Sequence, residues 1–370
     1  MMVALAKCST YGPGLRKSFE KLLGGLGGIG AFVQPGQKVL LKPNLLSDRL
    51  PAQAVTTHPE VVRALIRIVR DRGASPVVGD SPASAVKLER VWQQTGLANL
   101  CEREDVPLLN FESAGSVRFE RSGYSFNVAR PVVEADVVIN IPKVKTHVLT
   151  TLTGAVKNMY GVLPGYQKAH FHKMLPTPSD IAGLMLEICS VVPPALSVAD
   201  GIVGMQGDGP SNGTPIELGF IAASADPEAL DLVLCKVLDV RPRAVPYLRN
   251  FLDSRHEPIE VVGAALEDVT VKGFRTPGTL RARLIPGALV KLLGPLFWIR
   301  PAVSERCTAC GRCVKACPVD ALRLPDGADR PKLLPDSCIG CCCCHEICPA
   351  GAVSMVQSHL LRLIRKRELK

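Results

Sequence analysis

Apolar residues recur along the first 265 positions with two periods in turn, one typical of strands and one of helices. Residues 2–8 read as an opening strand, and residues 39–42 as a short apolar strand closed by Pro43 and Asn44. Thr57 or His58 can start a helix with Pro59 at its first position. Val61, Ala64, Leu65 and Ile68 share one face of it, and Gly73 ends it. Residues 76–79 predict the next strand, 85–95 a helix stopped by Gly96, and 107–111 another strand. Residues 117–119 and 124–128 look like a hairpin across Ser122 and Gly123. Residues 135–141 form a largely apolar run, as in a strand buried on both faces. A helix over 181–191, a strand over 195–199 running into Asp200 and Gly201, a strand over 220–223 and a helix over 227–238 complete the series. This alternation predicts an α/β domain over 1–265, with a mostly parallel sheet and flanking helices.

The pattern changes after residue 265. Residues 266–300 read as a linker or packing arm, in which apolar residues mix with Arg281, Arg283, Lys291 and Arg300. Pro286, Gly287, Gly294 and Pro295 break the arm into short pieces, so peripheral membrane contact is not favoured. Residues 301–352 hold a cysteine-rich module. Residues 353–370, with Arg362, Arg365, Lys366 and Arg367, predict a basic C-terminal helix able to dock an acidic partner. No stretch of 18 apolar residues is free of charge, so a spanning helix is not expected. The short apolar start lacks the basic region of a secretion signal.

Cysteine usage decides the chemistry of the C-terminal part. Of 14 cysteines, Cys8, Cys101, Cys189 and Cys235 are scattered singly and the rest lie between 307 and 348. Cys307, Cys310, Cys313 and Cys317 run at steps of three, three and four, followed by Pro318; Cys338, Cys341, Cys344 and Cys348 repeat the steps, followed by Pro349. This is the spacing of bacterial ferredoxins, in which three thiolates on one tight turn reach three irons of a cubane and the fourth ligand comes from the other set. It predicts two [4Fe-4S] clusters, one on Cys307, Cys310, Cys313 and Cys348, the other on Cys338, Cys341, Cys344 and Cys317. Zinc sites use two separated cysteine pairs instead. The fold expected here is a small α+β ferredoxin-type domain. Cys342 and Cys343 are surplus and read as small fillers of a tight loop. Clustered thiols need a reducing compartment, so the cytoplasm is expected.

Composition narrows the partners. Aromatic residues make up only 5% and no recognition helix with a basic face stands out, which argues against nucleic acid. The net charge of +10 favours acidic partners or anionic ligands.

Two stretches of the α/β part carry polar chemistry. Residues 139–161 leave a buried strand and present Lys143, Lys145, His147, Thr150, Thr151, Thr153, Lys157 and Asn158. Ligands of α/β proteins bind at the carboxyl ends of parallel strands, and cations with hydroxyls there suit a carboxylate or phosphate. His170 and His172 follow closely. His172 reads as an ordinary surface or hydrogen-bonded residue, while His147 and His170 flank the cationic loop and are candidates for proton transfer. No fixed spacing for a histidine metal site is present. The other stretch, 200–231, is dense in glycine. Gly207 and Gly209 could bring backbone amides against an anion, and Asp200 could bind a polar ligand or serve as a turn residue. It is neither a P-loop nor a dinucleotide fingerprint.

Six segments resemble the domain of unknown function family 362, in its version fused to a twin-cluster ferredoxin. They are KPNLL at 42–46, THPEVV at 57–62, VGDSP at 78–82, IPKVKTH at 141–147, TGAVKN at 153–158 and the glycine-rich 200–231. The family has no settled reaction. Its distant similarity to nickel-pincer lactate racemases implies His and Lys at a carboxylate-binding cleft, here Lys145, His147, Lys157 and His170. The racemase cofactor itself is not implied. Taken together, these features predict an iron–sulfur oxidoreductase acting on an anionic substrate or cofactor in the α/β cleft, with an electron donor or acceptor protein as partner. The alternative is a non-enzymatic electron-transfer subunit or redox sensor whose α/β domain docks a partner.

Overall fold

The computed structural model describes residues 1–83, 86–175, 177–254, 257–277 and 298–358. In chain order the α/β domain contributes β1 (Met2–Lys7), β2 (Lys38–Pro43), β3 (Ser75–Asp80), β4 (Leu108–Asn110), β5 (Ser116–Arg121), β6 (Tyr124–Ala129), β7 (Val137–Ile141), β8 (Lys143–His147), β9 (Thr151–Thr153), β10 (Leu196–Gln206), β11 (Thr214–Ser224) and β12 (Glu260–Gly263). All but the β5–β6 hairpin join one 10-stranded sheet, whose main path runs β12-β1-β11-β10-β7-β2-β3-β4. The β2–β3, β3–β4, β2–β7, β7–β10, β8–β10 and β1–β12 pairs are parallel. The fold is therefore α/β with a mostly parallel sheet and flanking helices. Side chains alternate across it as a pleated strand requires: Val39 and Leu41 of β2 enter one core while Leu40 enters the other.

Local chemistry explains the helix starts. The His58 side chain accepts a hydrogen bond from the Glu60 amide and Pro59 opens helix Pro59–Asp71. Thr177 caps helix Pro178–Val191 and Asp226 caps helix Pro227–Val237. Gly96, expected only to stop a helix, takes φ +77° and joins helix Leu88–Gln94 to a second helix, Leu97–Arg103.

Two expectations about loops are corrected. Residues 143–147 are a buried strand rather than an open loop, because Lys143 and Lys145 each find a buried acceptor for the ammonium. The glycine-rich segment is largely the β10–β11 ladder. A Cβ on Gly204 would stand 2.3 Å from Leu218 Cδ1, and one on Gly201 2.6 Å from the Phe220 ring, so these glycines serve strand packing.

The C-terminal module contains β13 (Ile299–Val303), β14 (Leu322–Arg323), β15 (Lys332–Leu333) and β16 (Val353–Gln357), with helices Arg312–Lys315 and Cys343–Ile347. β13 pairs antiparallel with β16. Residues 353–357 are thus a strand, not the start of the expected basic helix: Val353 enters the module core and alternates with exposed Ser354. The rest of that expected helix, 359–370, lies outside the described residues, as does 278–297 of the expected arm. The start of the arm belongs to the α/β domain, where Val269 is buried and the Val271 amide donates to Val237 O at 2.8 Å.

Candidate functional site

The eight ligand-spaced thiols stand around two cavities in crossed sets. Cys307, Cys310, Cys313 and Cys348 line one, and Cys317, Cys338, Cys341 and Cys344 line the other. Among the described residues no group of three His, Cys, Asp or Glu side chains closes on a single-ion site. The module repeats itself in detail. The amides of Ala321 and Ala352 donate to Cys317 Sγ and Cys348 Sγ, both at 3.2 Å, as suits a thiolate held on iron. Gly311 and Cys342 occupy matching left-handed positions at φ +70° and +68°. The donor sets and these amides fit [4Fe-4S] ligation.

The module is fastened to the α/β domain by polar contacts on several loops. Arg312 donates to both carboxylate oxygens of Asp48, at 2.9 and 3.1 Å, and Arg49 donates to Cys348 O at 2.6 Å. Asn212 donates to His345 O at 2.9 Å, and His345 Nε2 lies 3.0 Å from Asp208 O. His147 Nε2 stands 3.1 Å from Glu346 Oε1. His147 Nδ1 accepts from the amides of Leu149 and Thr150, so the ring proton sits on Nε2, facing Glu346.

A cavity of about 90 Å³ lies between the two parts. Asn44, Asp80, Ser81, Lys157, Lys168 and His172 line it from the α/β side; Cys343, Glu346 and Ile347 line it from the module. It opens beyond the carboxyl ends of β2 and β3, where such sheets bind ligands. Lys42 and Asp80 pair at 2.8 Å just behind it. Lys42 also donates to Asn158 O at 2.6 Å, and Asp80 accepts from the Leu45 amide at 2.8 Å. Gly161 is required there, since a Cβ would stand 2.3 Å from Asp80 Oδ1.

Beside the Lys42–Asp80 pair, Lys157 is drawn chiefly to Glu346, and Lys168 to Asp80 and Glu112. Lys168 donates to Ser81 Oγ at 2.6 Å and to Leu163 O at 2.9 Å, and burial lowers its pKa to about 8. Burial also lowers the pKa of Lys157, against the opposing pull of Glu346. Among the described residues its ammonium has no hydrogen-bond or ion-pair partner; it stands 5.1 Å from the Tyr160 ring centroid. Burial alone would raise the Glu346 carboxyl, but His147 and Lys157 hold it down at about 2. Burial keeps His147 and His172 neutral, with pKa values lowered to about 4. The cavity is therefore cationic in balance, with one neutral imidazole on its wall.

Residues 39–236 match the family described as Domain of unknown function (DUF362), and residues 303–323 match the 4Fe-4S binding domain. The chain belongs to the DUF362 family. A thylakoid-associated protein of Synechocystis sp. is 39% identical over 249 residues, 66% of this chain and 76% of that protein. A ferredoxin of Alicyclobacillus acidocaldarius is 36% identical over 59 residues, 16% of this chain and 69% of the ferredoxin. Among solved structures, the lactate racemase apoprotein of Thermoanaerobacterium thermosaccharolyticum aligns with a TM-score of 0.44 at 13% identity, covering 65% of this chain and 57% of its own. A Thermotoga maritima protein aligns at 0.34 and 17%, covering 54% and 52%. The chain is thus a DUF362 protein that carries an iron–sulfur electron-transfer module. No helix among the described residues is long and apolar enough to cross a membrane.

Three of the six DUF362 segments noted in the sequence line this cavity. Asn44 and Leu45 come from the first, Asp80 and Ser81 from VGDSP, Lys157 and Asn158 from TGAVKN. The individual candidates are less uniformly placed. Lys157 lines the cavity. His147 sits behind it and orients Glu346, and Lys145 is buried against Val55 O. His170 is exposed on helix Gln167–Met174, stacked edge-on against Phe171, and does not reach the cavity. Asp200 is buried in a satisfied network: it pairs with Lys143 at 2.9 Å and accepts from Tyr11 at 2.8 Å and from the His58 amide at 2.9 Å. Gly207 donates to Arg275 O, and Gly209 packs against Thr146, where a Cβ would stand 2.2 Å from the carbonyl. Sequence reasoning missed Lys168, Glu346 and Cys343 and set His172 aside. The spacing of four between Lys168 and His172 puts both on one helix face and His170 off it, a signal present in the sequence.

Proposed function

We propose that this protein is an oxidoreductase in which two [4Fe-4S] clusters exchange electrons with a small anionic substrate or cofactor bound in the cavity between the α/β domain and the cysteine module. One observation carries the reading: Lys157, whose ammonium has no hydrogen-bond or ion-pair partner among the described residues, lines a cavity whose other wall includes Cys343, on the turn between Cys341 and Cys344. An ammonium in a half-buried position with no counter-ion is costly to desolvate, and an anion beside it offsets that cost. The clusters, when bound, supply one-electron transfer. The side chains do the rest. Lys157 and Lys168 hold the anion. His172, neutral and on the cavity wall, accepts or returns a proton. His147 and Lys145 act from behind: His147 holds Glu346 in place, and Lys145 braces β8. Cys310 is exposed beside the first cluster site, which suits exchange with an external carrier protein. A reducing compartment such as the cytoplasm would keep the thiols available.

Anaerobic purification tests the reading, with iron and sulfide analysis and mass spectrometry of co-purifying small molecules. About eight irons per chain, with an anionic ligand that is lost in Lys157→Met, is the expected result. Eight irons and no affinity for any small anion would point to a non-enzymatic electron-transfer subunit. Zinc in place of iron would overturn the reading.

A further inference from the structure

Asn44, on the cavity wall, carries an acceptor that meets no donor among the described residues. The residue follows β2, and its backbone is pinned where its amide donates to Thr57 Oγ1 at 2.8 Å. Its side chain ends a series of three linked amides. Asn140, fully buried on β7, donates from Nδ2 to Ala155 O at 3.0 Å and to Ser197 Oγ at 3.2 Å. Ala155 O is a carbonyl and only accepts, so Asn140 turns Oδ1 toward Asn158. Asn158 Nδ2 donates to that oxygen at 2.8 Å and to Lys42 O at 3.4 Å, which turns its own Oδ1 toward Asn44. Asn44 Nδ2 donates there at 2.8 Å. Two backbone carbonyls thus fix the direction of all three amides and leave Asn44 Oδ1 over. That oxygen is buried. A buried amide oxygen without a donor is costly, and a donor on a ligand offsets the cost.

We propose that Asn44 makes the cavity select anions that also carry a hydrogen-bond donor. The negative oxygens lie at Lys157 and Lys168, and an O–H or N–H of the same molecule donates to Asn44 Oδ1. This rests on the anion-cavity reading above and adds a ligand class to it. All three residues line one cavity of about 90 Å³, so a small molecule reaches both kinds of group. Asn44 is thus a specificity-determining residue, which sorts anions by the protons they carry. Glu346 lines the same cavity and is the competing acceptor that the test must separate.

The test is calorimetry on anaerobic holoprotein with two matched pairs of anions. Inorganic phosphate and sulfate share a tetrahedral shape, but in mildly acidic buffer only phosphate carries an O–H. Phosphate is there the less charged of the two, so charge alone favours sulfate at a cationic site. Oxamate and pyruvate match in shape, with an amino group in one where the other has a methyl. The expected result is binding about tenfold tighter for the donor-bearing member of at least one pair. A preference in the first pair marks a phosphate group as the natural ligand's anion, and in the second a carboxylate. The preference should vanish in Asn44→Ala and persist in Glu346→Ala. Equal affinities within both pairs in the wild type would overturn the proposal and leave the anion cavity standing. A preference that survives Asn44→Ala, or is lost in Glu346→Ala, would overturn it by assigning the donor to Glu346. Binding of none of the four anions would overturn it together with the anion-cavity reading.

Discussion

The two halves of the cysteine module keep identical ligand spacing and share none of the residues between their ligands. Between the second and third cysteines the first half has Gly311 and Arg312, the second Cys342 and Cys343. Between the third and fourth it has Val314, Lys315 and Ala316, against His345, Glu346 and Ile347. The ligands are fixed by what a cubane needs, so the spacers are free to record what each half faces. The first half is more open: Lys315 and Cys310 are exposed, although Ala316 reaches the cavity wall, and Arg312 ties its turn to Asp48. The second half faces the α/β domain: His345 is buried against the loop after β10, and Glu346, mostly covered, stands against His147. Equal spacing thus carries unequal roles, one end open to solvent and the other closed over a cationic cavity.

The largest effects should come from crossing the halves. Cys317→Ala should cost the second cluster and spare the first, and Cys348→Ala the reverse; each should lower iron from about eight to about four per chain, with a different EPR signal surviving. Loss of the first cluster in Cys317→Ala would break the crossed assignment. Next is the cavity. Lys157→Met keeps the apolar stem but removes the charge, and should weaken small-anion binding by about 1.5–3 kcal/mol, measured by calorimetry with acetate or inorganic phosphate.

The matched spacers give a smaller contrast. Glu346→Ala removes the partner of His147 from a buried interface and should destabilise by about 1–3 kcal/mol. Lys315→Ala, at the equivalent exposed position, should change stability by less than about 0.5 kcal/mol. Equal shifts in thermal midpoint would contradict the inward and outward division. The pH effect is the mildest. Burial sets the Lys168 pKa at about 8, and a bound anion favours the ammonium form. Affinity should therefore be level below that pH and fall as pH rises through it, by at most about tenfold per unit for one proton. Affinity that rises above pH 8 would exclude Lys168 from the site.

The candidate cluster cysteines stand out in the sequence because a cluster dictates their spacing, and the strand–helix alternation is legible because burial dictates its periods. The sequence disclosed the neighbourhood of the cavity through segments such as KPNLL and VGDSP, though not their roles. Lys143, Lys145 and Asp200 misled for one physical reason. Charged residues read as exposed, whereas here they are buried and hydrogen-bonded to partners distant in the chain, such as Tyr11 and Val55. Glu346 was hidden in the same way, as a spacer residue whose partner His147 lies far away in sequence. Gly209 looked like part of a ligand cradle because close packing, here against Thr146, and close approach to a ligand make the same demand on a side chain.

The central claim is that one cluster of two borders an anion cavity. The most direct measurement is an EPR redox titration of the anaerobic wild-type protein with and without a saturating small anion that calorimetry has shown to bind. The account predicts two cluster signals, of which one shifts to lower potential when the anion is bound while the other stays fixed. Two signals that both ignore the anion, or that move together, would contradict it.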